Sequence, residues 1–358
     1  MMENDTKKLD FLLGALSPAG FHGYFPALAN EGDIQMYLIK SGPGCGKSTL
    51  MRGLEERAGG TVERIHCSSD PDSLDGVVFW QQNAAIVDAT APHTLDPQFP
   101  VAYVQVVSLY HTLDAAMLRQ NRAEIKRLFL RCKGLQERAA RYIASAGGLL
   151  LDSRRTAAYG TDLEKARRYA ARLGAKYLPK RAGRGREQIR LLSAVTPKGI
   201  IAYRNTIQAL ASQIIVLHDE YGAASRLIMD SLRSQALARG HRVITCWCAM
   251  APEDKIDHLL LPELGLAFLT SNSWHPMDLP GQKNVRCTRF ENPDTLRCRK
   301  KRLRFNRKAA AELLAQASAM QRDAKASHDE LEAYYQAAAD FSQVDTVRSE
   351  LAAQLGLG

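Results

Sequence analysis

The feature that most constrains the fold is an internal repeat, because a duplicated chain is expected to form two similar units. The segment Leu16–Tyr24 shares a proline, a glycine and a tyrosine, identically spaced, with Val195–Tyr203, which begins 179 residues later. A second stretch, Leu38–Leu54, aligns with Val216–Leu232 at nearly the same separation. The chain has 358 residues, so this separation is half of its length. The pattern indicates duplication of a whole domain.

The repeat predicts two domains, at residues 1–179 and 180–358. Short apolar runs in each half are typical of buried strands. These runs are Met36–Lys40, Val62–Cys67 and Ala84–Asp88, and then Ile214–His218, Val243–Cys248 and Leu266–Thr270. Helical stretches at Ser48–Arg57 and Ser225–Ala238 separate the first two strands of each half. Because strand and helix alternate, we expect an α/β fold of two duplicated parallel-sheet units.

Each half ends in a long helical tail. Apolar residues recur at alternating steps of three and four within Ile125–Tyr142, and again within Leu313–Tyr334. This heptad spacing is typical of helices that pair as a coiled coil. Gly147 and Gly148 predict a turn in the first tail, so we expect a coiled-coil-like hairpin after each sheet. Helices that pack on their own domain are the alternative.

The strongest chemical signal lies between the first predicted strand and the first predicted helix. The residues Ser41–Thr49 are Ser-Gly-Pro-Gly-Cys-Gly-Lys-Ser-Thr, which resembles the Walker A loop of P-loop NTPases. Glycines let the backbone N–H groups of such a loop face phosphate oxygens, at a helix N-terminus whose dipole attracts anions. The family pattern has glycine where this chain has Ser41. The resemblance implies that a nucleotide is held by Gly42, Pro43, Gly44, Cys45, Gly46, Lys47, Ser48 and Thr49.

The resemblance also implies a role for individual side chains. Lys47 would neutralise the β- and γ-phosphates, the Ser48 hydroxyl would coordinate Mg²⁺, and Thr49 would lie near the α-phosphate. Asp88 ends the third predicted strand and is similar to a Walker B aspartate. We therefore assign Lys47 and Asp88 as catalytic residues, and Ser48 and Asp88 as Mg²⁺ ligands. The expected nucleotide is ATP, with GTP as the alternative.

The group that would activate water is left open, because no glutamate follows Asp88. Asp70 and Asp72 are candidates, although Asp-Pro-Asp is also typical of a turn or helix cap. His93 follows the Asp88 strand and is a further candidate, with a structural hydrogen bond as its alternative role.

The aligned loop of the second half lacks the phosphate-binding groups. Ser225 and Arg226 stand where the first half has its lysine and its first hydroxyl residue. Asp219 and Glu220 would place negative charge near a polyphosphate, which opposes binding. We therefore predict a degenerate second site.

The whole chain resembles a family of bacterial tandem P-loop ATP-binding proteins. The resemblance rests on the Asp-Ala-Thr-Ala-Pro-His motif at Asp88–His93 and on Thr270–His275 in the second half. It implies two P-loop NTPase-like units and ATPase activity, and it supplies no substrate.

Three functions are consistent with these motifs. The first is a Mg²⁺-dependent ATPase that hydrolyses the β–γ phosphate bond at the first site, slowly unless an unidentified protein partner stimulates it. The second is a small-molecule or nucleotide kinase, since a kinase needs no glutamate beside Asp88. The third is a nucleic-acid-associated module, because Arg297–Lys308 carries a charge of +8 that would attract phosphates. A solvated helix face is the alternative for this basic run.

Composition excludes several other classes. Hydrophobic residues make up 46% of the chain, which is typical of a folded protein, but no apolar run reaches the roughly 18 residues of a membrane helix. The first residues lack the apolar stretch of a signal peptide, so we expect a cytoplasmic protein with no membrane partner. The seven cysteines include no CxxC pair, so we expect reduced thiols.

Overall fold

The structure is a computed structural model that describes residues 6–91, 93–97 and 99–358. It divides into two compact units. Unit 1 comprises the residues up to Ala15, Gly23–Ala139 and Ala319–Gly358, whereas unit 2 comprises Leu16–His22 and Ala140–Ser318. The boundary of the sequence repeat, between residues 179 and 180, is therefore not the boundary between the compact units.

The strands and helices follow the order expected of a repeat. The first half contains β1 (Lys7–Phe11), β2 (Gly14–Ser17), β3 (Gly20–Gly23), α1 (Phe25–Leu28), β4 (Gln35–Lys40), α2 (Lys47–Glu55), β5 (Thr61–His66), β6 (Leu74–Phe79), β7 (Ala84–Asp88), β8 (Val104–Ser108), α3 (Ala115–Gln120), α4 (Arg122–Ala158) and α5 (Leu163–Tyr177). The second half contains β9 (Arg186–Arg190), β10 (Ser193–Thr196), β11 (Gly199–Ala202), α6 (Arg204–Leu210), β12 (Gln213–His218), α7 (Ala223–Ala238), β13 (Arg242–Cys248), β14 (Ala251–Leu261), β15 (Leu266–Ser271), β16 (Lys283–Arg286), α8 (Pro293–Ala337) and α9 (Phe341–Gln354). Every strand predicted from an apolar run is present, with each end shifted by at most one residue.

Each unit contains one six-stranded sheet, and the two sheets have the same strand order. The order is β1-β5-β6-β7-β4-β8 in unit 1 and β9-β13-β14-β15-β12-β16 in unit 2. In both, the strand before the glycine-rich loop or its counterpart lies between two parallel neighbours. The structure therefore consists of two repeated α/β units, as the sequence predicts.

The sheets are mixed, so the prediction of purely parallel sheets is wrong. The strand β6 is antiparallel to both β5 and β7, and β14 is antiparallel to both β13 and β15. Only four residues connect β6 to β7, and only four connect β14 to β15. A connection this short can form a hairpin but not a parallel crossover, which needs a dozen or more residues.

The core of each unit includes a helix from the opposite half of the sequence. In unit 1, Val344 and Leu351 of α9 pack with Leu50 and Leu54 of α2. In unit 2, Ala170 of α5 is part of the buried cluster formed by α7 and the sheet. The helical tails of the two sequence repeats are thus exchanged between the compact units, which explains why the unit boundaries differ from 1–179 and 180–358.

The long helices α4 and α8 pack side by side within each unit. In unit 1 the Cys132 thiol lies 3.6 Å from the Ala324 carbonyl oxygen, and in unit 2 the Asn306 amide donates to Asp152 at 2.7 Å. Pairing of the heptad segments is therefore observed. The predicted turn at Gly147-Gly148 is wrong, because α4 continues through both residues. No helix among the described residues is long and apolar enough to span a membrane.

Candidate functional site

The glycine-rich loop of unit 1 joins the end of β4 to the start of α2. Gly44 and Gly46 have φ values of +67° and +80°, a left-handed conformation that glycine adopts without steric cost. The helix begins at Lys47, and the N–H of Leu50 donates to the Gly46 carbonyl to close the first turn. The loop thus has the strand–loop–helix setting that the sequence predicts.

The structure brings the two predicted catalytic side chains together. Asp88 ends β7, which pairs with β4 so that Asp88 lies beside Ile39. The Lys47 ammonium donates to the Gly42 carbonyl oxygen at 2.7 Å and lies 3.4 Å from Asp88 Oδ2. Both side chains are largely shielded from solvent. A positive charge is therefore held at the helix N-terminus, where the helix dipole adds to its attraction for an anion.

Hydrogen bonds fix the direction of the two predicted Mg²⁺ ligands. Asp88 Oδ1 accepts from the backbone N–H and the hydroxyl of Thr90, which directs Oδ2 toward Lys47. The Ser48 hydroxyl oxygen accepts from the Leu74 N–H at 3.0 Å. Oxygen ligands of this kind suit Mg²⁺. Ser48 and Asp88 therefore offer the oxygen types that the predicted cation requires, one at the start of α2 and one at the end of β7.

The other predicted loop residues have more local roles. Cys45 is buried, and its thiol lies 3.4 Å from the Pro43 carbonyl oxygen. Thr49 is exposed on α2. Ser41, at the position where the family pattern has glycine, is buried. These contacts shape the loop and leave Thr49 accessible to a ligand.

Asp70 forms the turn that the sequence offered as its alternative role. Its carboxylate accepts from the Ser73 hydroxyl at 2.9 Å and lies 3.4 Å from the Lys325 ammonium. The carbonyl oxygen of Asp72 accepts from Arg52. These contacts direct the Asp70 carboxylate toward Ser73 and Lys325.

A second charged pair lies close to Lys47 and Asp88. His93 Nε2 is 3.1 Å from Asp75 Oδ2, and both side chains are buried. Burial acts to lower the pKa of His93, but the nearby carboxylates of Asp75 and Asp88 outweigh it, and the pKa is raised. His93 was a candidate in the sequence, but Asp75 was not, because it lies in β6, the strand that the apolar pattern did not predict. Pro92, which precedes His93 in the motif, lies outside the described residues.

Cys67 joins this pair. Its thiol lies near the Asp75 and His93 ligand atoms, all within 4.8 Å of one another. Cysteine, carboxylate and imidazole are zinc ligand types. Burial raises the pKa of Cys67 well above its usual range, and the negative charge of Asp75 adds a smaller effect in the same direction. The three groups therefore favour a neutral thiol beside an imidazole–carboxylate pair unless a metal ion displaces the proton.

The end of α8 and the start of α9 pack directly on the glycine-rich loop. A Cβ atom at Gly42 would lie 2.4 Å from the Tyr335 ring, and one at Gly44 would lie 2.9 Å from Glu332 Cβ. At Gly46 the nearest atoms would belong to Phe341, at 3.5 Å. Gly42 and Gly44 are therefore needed for the close helix contact, and Gly44 and Gly46 for the backbone conformation. No sequence signal indicated this contact, because the two segments are nearly 300 residues apart.

The counterpart of this loop in unit 2 is filled by its own side chain. Asp219, the residue aligned with Ser41, is buried, and its carboxylate accepts from the N–H groups of Gly222, Ala224 and Ser225 at 2.9, 3.0 and 2.8 Å. These are the groups that a phosphate would otherwise contact. Gly222 is the N-cap of α7 with a φ of +74°, so this loop, although two residues shorter, ends in a left-handed glycine as the unit 1 loop does at Gly46.

Arg226 and the basic run Arg297–Lys308, both noted in the sequence, form ion pairs within unit 2. Arg226 donates to the Asp254 carbonyl oxygen at 2.8 Å and lies 3.0 Å from its carboxylate. The basic run Arg297–Lys308 lies on α8, where Arg302 forms an ion pair with Asp152. These contacts fit the solvated helix face, and they do not test nucleic-acid binding.

Comparisons of the chain with models of protein families, with curated proteins and with solved structures find no match. Function is therefore argued from the chemistry of the site. The arrangement with the most specific chemistry is the unit 1 loop, with its helix N-terminus, its enclosed ammonium and a carboxylate on the neighbouring strand.

Proposed function

We propose that unit 1 binds a nucleoside triphosphate, ATP in the first instance, together with Mg²⁺, and hydrolyses its β–γ phosphate bond slowly. The observation that carries the proposal is the position of Lys47. Its ammonium lies at the N-terminus of α2, 2.7 Å from the Gly42 carbonyl oxygen and 3.4 Å from Asp88.

The charge arrangement favours a polyphosphate. Loop N–H groups and the helix dipole provide positive potential, and Lys47 adds a full charge. Bound phosphate oxygens would compete with the Gly42 carbonyl for the ammonium. Ser48 and Asp88 would hold Mg²⁺, which neutralises the phosphate oxygens and supplies Lewis-acid character.

In the proposed reaction, a water oxygen attacks the γ-phosphorus while the bond from that phosphorus to the bridging oxygen breaks, so that ADP leaves, inorganic phosphate forms and the water releases a proton to solvent. Lys47 stabilises the charge that develops on the phosphate oxygens. Ala89 follows Asp88, so no carboxylate occupies the usual position for orienting water. Slow turnover is expected for this reason, with a partner protein as the route to acceleration.

Calorimetry with Mg²⁺ and ATP or GTP tests the proposal. Wild-type protein is expected to bind one nucleotide per chain, and Lys47→Ala is expected to lose that binding. Lys300→Ala, a change at an exposed lysine on α8, is the matched control and should bind like the wild type. Binding by Lys47→Ala with unchanged affinity would refute the assignment of the site.

Phosphate release measured on the same samples separates the two enzyme classes. Slow release that depends on Lys47 supports an ATPase. Nucleotide binding without release in the absence of an acceptor favours the small-molecule or nucleotide kinase. A nucleic-acid-associated module predicts instead that duplex DNA binds with a steep salt dependence and that Arg302→Ala weakens it.

A further inference from the structure

Unit 2 contains a large cavity beside its filled loop. Its volume is about 530 Å³, and its wall includes Gly222 from the loop, Met250 and Trp274. Small-molecule sites in proteins commonly occupy roughly 300–1,000 Å³. The cavity is therefore of a size to hold an organic ligand.

Polyphosphate is a poor occupant of this cavity. The Asp219 carboxylate already accepts the N–H groups of Gly222, Ala224 and Ser225. A phosphate would have to displace it and would meet its negative charge. The ligand of unit 2 must therefore differ from the nucleotide proposed for unit 1.

The charged groups on the wall are largely neutralised by one another. Three ion pairs supply most of them, and in each a cation and a carboxylate are in contact or nearly so. The pairs are Lys255 with Asp257, Arg154 with Asp254, and Arg307 with Glu220. A charged ligand would lose its hydration without gaining an unopposed partner, which is costly in a partly buried site.

Much of the remaining wall is apolar. It is formed by Pro18, Leu150, Leu151, Val195, Ile200 and Leu314. Ile200 is 38% exposed, so apolar area is open to an occupant. A ligand with an aromatic or aliphatic body would remove this area from water.

One polar atom of the cavity wall is left without a hydrogen-bond partner among the described residues. The oxygen of the Asn272 amide accepts from the N–H groups of Trp274 and His275 at 2.9 and 3.2 Å, which fixes its orientation. His275 Nδ1 lies 3.2 Å from the same oxygen, so this nitrogen carries the ring proton. Burial lowers the pKa of His275, which keeps the ring neutral.

His275 Nε2 is consequently a hydrogen-bond acceptor. His275 is only 6% exposed and lines the cavity, and Nε2 has no hydrogen-bond partner among the described residues. A buried acceptor without a donor is unfavourable. Nε2 has almost no accessible surface, so a ligand N–H or O–H group would remove that penalty by turning the His275 ring toward the cavity.

We propose that unit 2 binds an uncharged, largely apolar small molecule that donates an N–H or O–H group to His275 Nε2. This goes beyond the nucleotide site of unit 1 and does not depend on it. The duplicated loop is then no relic, because its second copy supports a site of different chemistry.

A pair of fluorescent probes with one ring skeleton tests this selectivity. N-phenyl-1-naphthylamine is uncharged and has one N–H donor, whereas 8-anilinonaphthalene-1-sulfonate adds a sulfonate to the same skeleton. We expect saturable binding of the uncharged probe at one site per chain, and binding of the sulfonate at least about tenfold weaker. Absence of saturable binding by the uncharged probe, or equal affinity for both probes, would overturn the proposal.

Variants at Gly148 locate the probe in the cavity. Gly148 lines the cavity, and a Cβ atom there would meet no atom within 4 Å. Gly148→Trp can therefore fill cavity space, and it should abolish binding, whereas the matched control Gly148→Ala should bind as the wild type does. Both changes replace a glycine inside a helix, which favours helix formation, and circular dichroism verifies the fold. Unchanged probe affinity in Gly148→Trp would place the probe elsewhere and refute the site.

His275→Phe tests the hydrogen bond separately from the cavity. The change keeps an aromatic ring of similar size and removes the acceptor. The uncharged probe should bind about fivefold to tenfold more weakly. N-methylation of the probe, which removes its donor, should weaken binding to the wild type by a similar factor and leave binding to His275→Phe unchanged. Equal loss on N-methylation in both proteins would show that His275 is not the acceptor.

Discussion

The filled loop of unit 2 indicates how to close the loop of unit 1 by one substitution. Ser41 is aligned with Asp219, is buried, and its hydroxyl has no hydrogen-bond partner among the described residues. Ser41 and Asp219 are each the first residue after their strand, and each loop ends in a left-handed glycine at the helix N-cap, Gly46 with a φ of +80° and Gly222 with a φ of +74°, although the loop of unit 2 is two residues shorter. Ser41→Asp should therefore place a carboxylate against the loop N–H groups, where the proposed nucleotide phosphate would bind.

The expected loss of affinity follows from the contacts of Asp219. Its carboxylate accepts three hydrogen bonds of 2.8–3.0 Å, and hydrogen bonds to a charged group contribute about 1.5–3 kcal/mol each. A phosphate must break these bonds and displace a like charge. Even a net cost of about 4 kcal/mol, which is less than three such bonds, weakens binding roughly a thousandfold.

Calorimetry with Mg²⁺ and ATP measures this loss. Ser41→Asn is the matched control, because it has nearly the same shape without the charge, and its affinity should fall much less. Thermal melting without nucleotide should show Ser41→Asp to be at least as stable as the wild type, since the new carboxylate satisfies the loop. ATP affinity in Ser41→Asp within about tenfold of the wild type would refute the reasoning, as would an equal loss in Ser41→Asn.

Three further outcomes follow from the contacts in each unit. Asp219→Ala leaves buried N–H groups unsatisfied, so urea denaturation should show that the free energy of unfolding of unit 2 falls by about 3 kcal/mol. An unchanged free energy of unfolding would mean that water satisfies these N–H groups instead. The pKa of His93 is raised in the folded state, so its ion pair with Asp75 stabilises the fold fully below about pH 6.5, the unfolded value, and less as pH rises through the folded value. The stability difference between the wild type and Asp75→Asn should therefore shrink as the pH rises above about 6.5, and a difference that stays constant with pH would contradict the assignment. Gly42→Ala forces a Cβ atom to 2.4 Å from Tyr335 and should cost about 1–3 kcal/mol, which the double variant with Tyr335→Ala should largely recover in a thermodynamic cycle.

Local sequence signals predicted the parts of the structure that local chemistry determines. Every strand expected from an apolar run is present, because a buried strand must be apolar over its own length. The turn between β4 and α2 was predicted from its glycines, because the left-handed conformations of Gly44 and Gly46 are easily adopted only without a Cβ atom. The position of Asp88 near the loop was also predictable, because neighbouring parallel strands bring their carboxyl ends to the same edge of a sheet.

The features that sequence analysis missed depend on distant residues. The strand β6 was missed because its apolar run contains Asp75 and Gly76, and the buried Asp75 carboxylate lies there beside His93 and Cys67. Gly147 and Gly148 were expected to form a turn, but helix continuation depends on packing, and Gly147 fits closely against Pro18. The sequence predicted that Asp219 would lie at the second loop and oppose phosphate binding. It did not predict that the Asp219 carboxylate would accept hydrogen bonds from the N–H groups of that loop.

The exchanged helices explain why a half of the chain with a filled loop is retained. The buried cluster of unit 1 includes Val344 and Leu351 from the end of the second half. The cluster of unit 2 includes Ala170 and Leu173 from the end of the first half. Fully burying a leucine contributes about 1.5–3 kcal/mol, a large fraction of the stability of a typical domain. Loss of either half would therefore open the core of the other unit. If unit 1 binds a nucleotide as proposed, selection for that loop would preserve the second half of the sequence as well, and would leave the second loop and its cavity free to serve the different ligand proposed above.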